Sequence, residues 1–232
     1  MRIWAMSDLH LGTAVDKPMH IFGPHWENHA ERIRTNWLEK IRPEDAVLVA
    51  GDISWGLHLD EALPDLELLA ALPGLKVLIK GNHDLWWSSR AKVERVLPEG
   101  IVLIQNDARI LGEGIGVTGT RGWTLPGAPD FKADRDEKIL NREVGRLRLG
   151  LAALEALQPR RRIAMIHYPP VWKNDHDTPF SRLLAEAGVD VCLYGHLHGE
   201  DIALAYQGEI SGVKYCLASS EFYDFQPQEV KP

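Results

Sequence analysis

The 232-residue chain is 45% hydrophobic and 25% charged, a composition that suits one globular domain over residues 1–232 and excludes a disordered or fibrous chain. Its formal net charge of −7 argues against a general electrostatic grip on nucleic acid, which needs many Lys and Arg side chains to neutralise phosphates. No segment reaches the length of a membrane span, the start MRIWAMSDLHLG lacks a signal-type apolar region, and Cys192 and Cys216 are too few for a secreted disulfide framework, so a cytoplasmic protein with reduced thiols is expected.

In chain order, the apolar run Ile3–Met6 reads as a buried strand. Residues 26–41 carry Ile33, Trp37 and Ile41 on one helical stripe. Ala46–Ala50 is a second strand, 60–72 a helix opened by an acidic first turn, and Val77–Ile79 a third strand. Residues 100–118 hold two or three short strand-like pieces with no room for a helix, which makes part of the sheet antiparallel or mixed. Residues 120–134, with Gly122, Pro126, Gly127 and Pro129, read as a long loop near the working face. The longest helical pattern, 134–157, has Arg, Glu and Leu at spacings of three and four. Strands at Ile163–Ile166 and Val191–Tyr194 come next, and 202–219 repeats the short-strand pattern. Alternation of strand and helix implies a layered α/β architecture.

The informative residues stand directly after each apolar run. The first strand leads to Asp8 and His10, the second to Gly51-Asp52, and the third to Gly81-Asn82-His83-Asp84. The strand at 163–166 leads to His167, and the one at 191–194 to Gly195-His196-Leu197-His198. Strand C-terminal ends share one edge of an open α/β sheet, where ligands bind. If the segments are extended, Asp8 and His10 share a direction, as do His196 and His198, while the neighbours Asn82 and His83 diverge into different roles. Oxygen and imidazole donors without thiolate suit Mn, Fe or Zn, and the set holds more donors than one ion needs. Two ions sharing Asp52 as a bridge is the economical arrangement.

The ordered set Asp8-x-His10, Gly51-Asp52, Gly81-Asn82-His83-Asp84, His167 and Gly195-His196-x-His198 resembles the calcineurin-like binuclear metallophosphoesterase superfamily over roughly residues 1 to 200. The resemblance implies a four-layer α/β (α+β) fold, two mixed β-sheets packed as a sandwich flanked by helices. It implies two divalent ions, Mn²⁺ foremost with Fe or Zn as alternatives, one on Asp8, His10, Asp52 and His198 and the other on Asp52, Asn82, His167 and His196. It also implies that His83 contacts the phosphate and leaving group, with Asp84 orienting it. The expected activity is hydrolysis of phosphomonoesters or phosphodiesters through a hydroxide bridging the two cations.

The expected partner is a small phosphorylated substrate, a nucleotide among the candidates, with no membrane and no nucleic acid. A nuclease of the same superfamily is the alternative, disfavoured by the acidic balance. A non-catalytic interaction module is a further one, disfavoured by the retention of His83 and the metal-type residues. Arg121 is a candidate phosphate grip, a salt bridge being the competing role. Trp55, Trp86, Trp87 and Trp123, beside or near the motifs, are candidates for a stacking wall, with packing of the loops as the competing role. The remaining histidines, His20, His25, His29, His58 and His176, are expected at the surface or behind the ligands.

Overall fold

The computed structural model describes residues 1–129 and 131–232. Its regular elements, in chain order, begin with β1 (Ile3–Met6), α1 (His29–Lys40), β2 (Ala46–Val49), α2 (Leu59–Ala71), β3 (Leu75–Leu78), α3 (Arg90–Glu94) and β4 (Ile101–Leu103). Then come β5 (Ala108–Ile110), β6 (Ile115–Thr120), α4 (Ala133–Ala156), β7 (Arg161–Ile166), α5 (Pro179–Glu186), β8 (Val191–Tyr194), β9 (Gly208–Ile210), β10 (Val213–Leu217) and β11 (Gln228–Val230). These form two compact units, Met1–Leu103 with Ala218–Lys231, and Ile104–Leu217 with Pro232. The first expected helix is shorter than its apolar stripe suggests. Pro24–Trp26 forms a separate 3-10 turn, and α1 starts only at His29, after Asn28 in a left-handed conformation.

The first unit holds a mixed five-stranded sheet in the order β11-β1-β2-β3-β4, parallel except where β11 runs against β1. Strands β1 and β2 are buried along their whole length, as the continuous apolar runs require. Ile33 and Trp37 of α1 and Leu66 and Leu69 of α2 pack with Trp4, Met6, Val47, Val49 and Leu78 in one cluster. Fully burying a large aliphatic side chain contributes about 1.5–3 kcal/mol, so the helical stripe read from sequence is what docks each helix on the sheet.

The second unit holds a mixed six-stranded sheet, β5-β6-β7-β8-β10-β9, whose four central strands are parallel and whose two edges are antiparallel. The pieces expected between residues 100 and 118 are thus β4, β5 and β6, divided between the two sheets. Leu140, Leu147, Leu151 and Leu154 of α4 pack with Phe180 and Leu184 of α5 and with Ala164, Ile166, Cys192 and Tyr194 of the sheet. The α5 N-terminus is capped by Thr178, whose Oγ1 accepts from the Ser181 N–H at 3.0 Å, and Pro179 supplies the first helical position, where its missing N–H is no loss. The expected long loop lies between β6 and α4, with Asp130 outside the described residues. Both thiols are free. Among the described residues no helix is long and apolar enough to cross a membrane.

One buried cation explains how α2 can end inside the first unit. Lys76, 1% exposed on β3, donates from Nζ to the carbonyls of Leu72 at 2.6 Å, Gly74 at 2.9 Å and Ala70 at 3.2 Å. A helix C-terminus leaves its last carbonyls without intrahelical donors and carries partial negative charge, and one ammonium answers both. Lys76→Met keeps the apolar stem and removes the three protons. It is expected to destabilise the protein by at least about 2 kcal/mol, because buried carbonyls left unsatisfied cost about 1–3 kcal/mol each. Urea denaturation of the variant checks this; an unchanged midpoint would remove the capping role.

Candidate metal centre

Parallel pairing of β1 with β2 sets the donor cluster of the first unit. The register Met6↔Val49 continues past both strand ends: Asp8 N–H donates to the Gly51 carbonyl at 2.9 Å, His10 N–H to Asp52 at 3.1 Å, and Leu11 N–H to Ile53 at 3.0 Å. The Asp8–His10 loop is thereby laid beside Asp52. One ligand atom of Asp8 lies within 4.8 Å of one on His10, and likewise within 4.8 Å of one on Asp52. His10 Nε2 is 3.9 Å from Asp52 Oδ2. All three side chains are buried. Two buried carboxylates this close repel one another unless a cation or a proton neutralises them, and with an imidazole beside them they fit a divalent transition metal.

The backbone that achieves this is not extended. Asp8 (φ 57°), His10 (φ 47°), Asp52 (φ 53°) and His196 (φ 74°) all occupy the left-handed region. Asp8 and His10 do converge, as expected, but through left-handed backbone and not through the alternation of an extended strand, and His196 is likewise not extended. Left-handed turns aim these side chains, at a cost of the order of 1 kcal/mol or more per residue for non-glycine residues. Such strain persists only where the surroundings over-determine the loop.

Asp84 does much of that. Its Oδ2 accepts from the N–H groups of Gly81 at 2.8 Å and Asp52 at 2.9 Å, and its Oδ1 from Ile53 at 2.8 Å, Ser54 at 3.2 Å and the indole N–H of Trp86 at 3.0 Å. The expected role of Asp84, orienting the His83 ring, gives way to this one. It clamps the Gly51-Asp52 loop to the Gly81-Asn82 loop. Burial pushes its carboxyl up to about 6, with the Asp52 charge adding to the rise and the backbone N–H donors of Gly81, Ser54 and Ile53 opposing it. Gly81 has to be glycine here, since a Cβ would sit 2.1 Å from Asp52 Oδ1 and 2.3 Å from its backbone nitrogen. The His83 N–H donates to Asp52 Oδ1 at 2.8 Å. Asn82 is half-buried, and the His83 side chain is exposed.

Several contributors escape a reading of the motifs alone. Asp65 of α2, fully buried, accepts from Thr13 N–H at 2.9 Å and from Ser54 Oγ at 2.5 Å, tying both motif loops to the helix. Its signal was there: a carboxylate inside the apolar stripe of Ala62, Leu66 and Leu69. Ser7 donates to Asp8 Oδ2 at 2.5 Å. The His29 ring lies 3.1 Å from the His10 carbonyl, and burial lowers its pKa.

The tryptophans divide. Trp86 and Trp87 are each 1% exposed, so the expected stacking wall loses both to the core. Trp55 is half-buried and stacks on His10, with ring centroids 4.7 Å apart and planes 21° apart. It also meets His83 at 4.6 Å.

In the second unit, β7 delivers His167 at its end and β8 delivers His196 and His198. The His167 and His196 rings meet edge-on at 5.2 Å, and Tyr168 lies 4.1 Å from His196. Arg121, just past β6, pairs with the fully buried Glu143 of α4 at 3.4 Å, and its guanidinium lies 4.6 Å from the Trp123 ring centroid. Thr120 Oγ1 and Arg146 also donate to Glu143, at 2.9 and 2.6 Å. Trp123 donates its indole N–H to Asp136 at 3.1 Å, so the polar end of this ring is used to anchor the loop to α4.

Comparison with known proteins places these motifs. The family described as calcineurin-like phosphoesterase matches residues 1–200. Gene 66 protein of Mycobacterium phage D29 is 40% identical over 83 residues, 35% of this chain and 40% of that protein, so the chain spans well under half the length of that relative. Among solved structures, the phosphopantetheinyl hydrolase PptH of Mycobacterium tuberculosis is similar over 100% of this chain and 96% of its own, with a TM-score of 0.62 at 17% identity. AQ665 of Aquifex aeolicus, a protein of unknown function, is similar over 98% of this chain and 95% of its own, with a TM-score of 0.50 at 16% identity. At those identities the likeness is one of fold: two mixed sheets with flanking helices.

Two measurements probe the clamp. Gly81→Ala is expected to lower both thermal stability and divalent-ion occupancy, because the new Cβ displaces Asp52; an unperturbed ion stoichiometry would show that the two loops do not need this approach. In metal-free protein the raised pKa of Asp84 means that the folded state takes up a proton between about pH 6 and its ordinary value of 3.8. For this group, stability therefore rises as pH falls through that window. Asp52→Asn removes one cause of the rise, so the Asp84 midpoint, followed by carboxyl NMR, is expected to move down.

Proposed function

Because this chain belongs to the calcineurin-like phosphoesterase family, we propose that it hydrolyses phosphomonoesters or phosphodiesters with two divalent cations, Mn²⁺ foremost, held by Asp8, His10, Asp52, Asn82, His167, His196 and His198. The observation that carries this reading is the close set of buried donors on Asp8, His10 and Asp52, laid side by side by the β1 and β2 loops. Two bound cations would supply an activated water at neutral pH and neutralise charge on the phosphoryl oxygens.

The protein's own contribution is positioning and proton delivery. Asp52 has its carboxylate fixed by the His83 N–H and its backbone fixed by Asp84. His83, with an exposed imidazole beside Trp55 and His10, is the residue that faces the substrate. As water adds to phosphorus and the ester P–O bond breaks, a protonated His83 donates its proton to the departing oxygen. Trp55 backs both His83 and His10 and so limits their ring orientations. Arg121 serves the site through its ion pair with Glu143 and its stacking on Trp123, with a phosphate contact as its second role.

His83→Ala is expected to lower kcat by about 10²–10⁴-fold, the usual contribution of general acid catalysis, while ion stoichiometry stays at two. The backbone N–H that holds Asp52 survives this substitution, so metal loss in the variant would contradict the assignment. The defect should shrink for esters with acidic leaving groups, which need little help from a proton donor. Asn82→Ala is expected instead to raise the Mn²⁺ concentration needed for half-maximal activity.

Exhaustive chelation should abolish turnover of a panel of phosphomonoesters and linear and cyclic phosphodiesters, and Mn²⁺ should restore it. Activity that survives verified metal loss would overturn the mechanism.

A further inference from the structure

The first unit presents one cation that the hydrolytic chemistry does not use. Lys17 lies in the segment that leaves the Asp8–His10 motif, in a chain whose formal net charge is −7. The residue is exposed, and among the described residues its ammonium has no carboxylate partner. Its neighbour is an aromatic face: Nζ lies 4.4 Å from the Trp55 ring centroid. That contact holds the ammonium by the electron-rich face of the ring and uses none of its three N–H donors in a hydrogen bond.

The segment that carries Lys17 is fixed on both sides. Before it, Thr13 N–H donates to Asp65 Oδ1 at 2.9 Å, and Val15 N–H to the Gly12 carbonyl at 3.3 Å. After it, the buried Met19 accepts the Trp55 indole N–H on Sδ at 3.0 Å. Pro18, with φ −71°, stands between the anchors, and its ring disfavours helical backbone at Lys17 and favours an extended one. One indole therefore holds the loop through its N–H and the ammonium through its face.

Trp55 is also the ring against which the chemistry rests. His10 stacks on it at 4.7 Å, and His83, the proton donor to the departing oxygen, meets it at 4.6 Å. Lys17 and His83 touch the same ring, which puts the unpaired ammonium on the leaving-group side of the site.

We propose that Lys17 selects esters whose leaving group carries a second anionic group, a phosphate or carboxylate, beyond the departing oxygen. The proposal rests on the phosphoesterase reading, since His83 marks that oxygen. A lysine ammonium is a compact point charge, which attracts an anion without demanding bidentate geometry. A neutral leaving group gains nothing from it, and a cationic one is repelled.

The test uses phenyl phosphates with a sulfonatomethyl, methylsulfonylmethyl or trimethylammoniomethyl group at the para position, the sulfonate standing in for the anion. Each is assayed as a monoester and as a methyl diester, with Mn²⁺ present. The methylene insulates the phenol from the charge, so the leaving groups stay close in acidity. The sulfonate ester is expected to exceed the neutral sulfone in kcat/KM by about two- to fivefold at low salt, the size of an exposed ion pair, and added KCl should shrink that ratio. Lys17→Arg should keep the ratio, Lys17→Ala should erase it, and Lys17→Glu should reverse it in favour of the trimethylammonium ester. Lys138→Glu, the same change of net charge at an exposed residue of α4, should keep the wild-type ratio. In parallel, 4-(sulfonatomethyl)phenol, which has no phosphate, is titrated into ¹⁵N-labelled protein with Mg²⁺. The Trp55 indole signal, assigned from Trp55→Phe, should move in wild type and stay still in Lys17→Ala.

Mn²⁺-dependent turnover with the same ratio in wild type and Lys17→Glu, and a stationary indole signal, would overturn the role of Lys17 while leaving the hydrolase reading intact. An equal loss for all three esters in Lys17→Glu would overturn it too, because it would put Lys17 on the scissile phosphate. A moving, Lys17-dependent signal without turnover of any ester would support the anion subsite and sink the hydrolase reading. Silence in both would overturn both.

Discussion

Five hydrogen-bond donors converge on the carboxylate of Asp84, four of them backbone N–H groups from two different loops. That convergence makes a ligand cluster possible in the first unit. Parallel strands bring the loops after β1, β2 and β3 to one sheet edge, but the loops themselves are short, polar and strained. Asp52 sits in a left-handed conformation that a free loop would abandon. With Asp84 holding the backbone of Asp52, Ile53 and Ser54, and His83 N–H holding the Asp52 carboxylate, the strained arrangement becomes the one that satisfies the most buried groups.

The same logic recurs one layer further out. Asp65 holds Thr13 and Ser54 from α2, and in the second unit Glu143 and Asp136 of α4 hold Arg121, Thr120 and Trp123. All four acids are fully buried. Buried charge is costly unless it is paired and hydrogen-bonded, and here each acid gathers donors from a loop at a strand end. Helices α2 and α4 therefore do two jobs. Their leucine stripes pack the cores, and one or two acids within those stripes position the loops.

This division also explains which tryptophans remain near the chemistry. Trp86 and Trp87 come directly after the third motif, yet the loop that Asp84 gathers turns both rings into the core, and the Trp86 N–H becomes one of the five donors. Trp55, at the end of a loop that continues the β1–β2 pairing, is left half-buried against His10 and His83. Adjacency in sequence to a metal motif did not decide exposure; the direction in which each clamped loop turns did.

Apolar runs separated by helical stripes determined, by sequence alone, that the fold alternates strand and helix. The order of Asp8, His10, Asp52, Asn82, His83, His167, His196 and His198 after those runs determined the family, because each follows an apolar run and these residue types are metal donors. Gly81 was legible as part of a motif, but the 2.1 Å approach to Asp52 that demands it is a contact between residues 29 positions apart. Sequence spacing could not show that Asp8, His10 and His196 reach their directions through left-handed backbone, nor that Asp84 clamps loops in place of orienting His83. Both depend on which backbone N–H groups are left without partners once the sheet has formed.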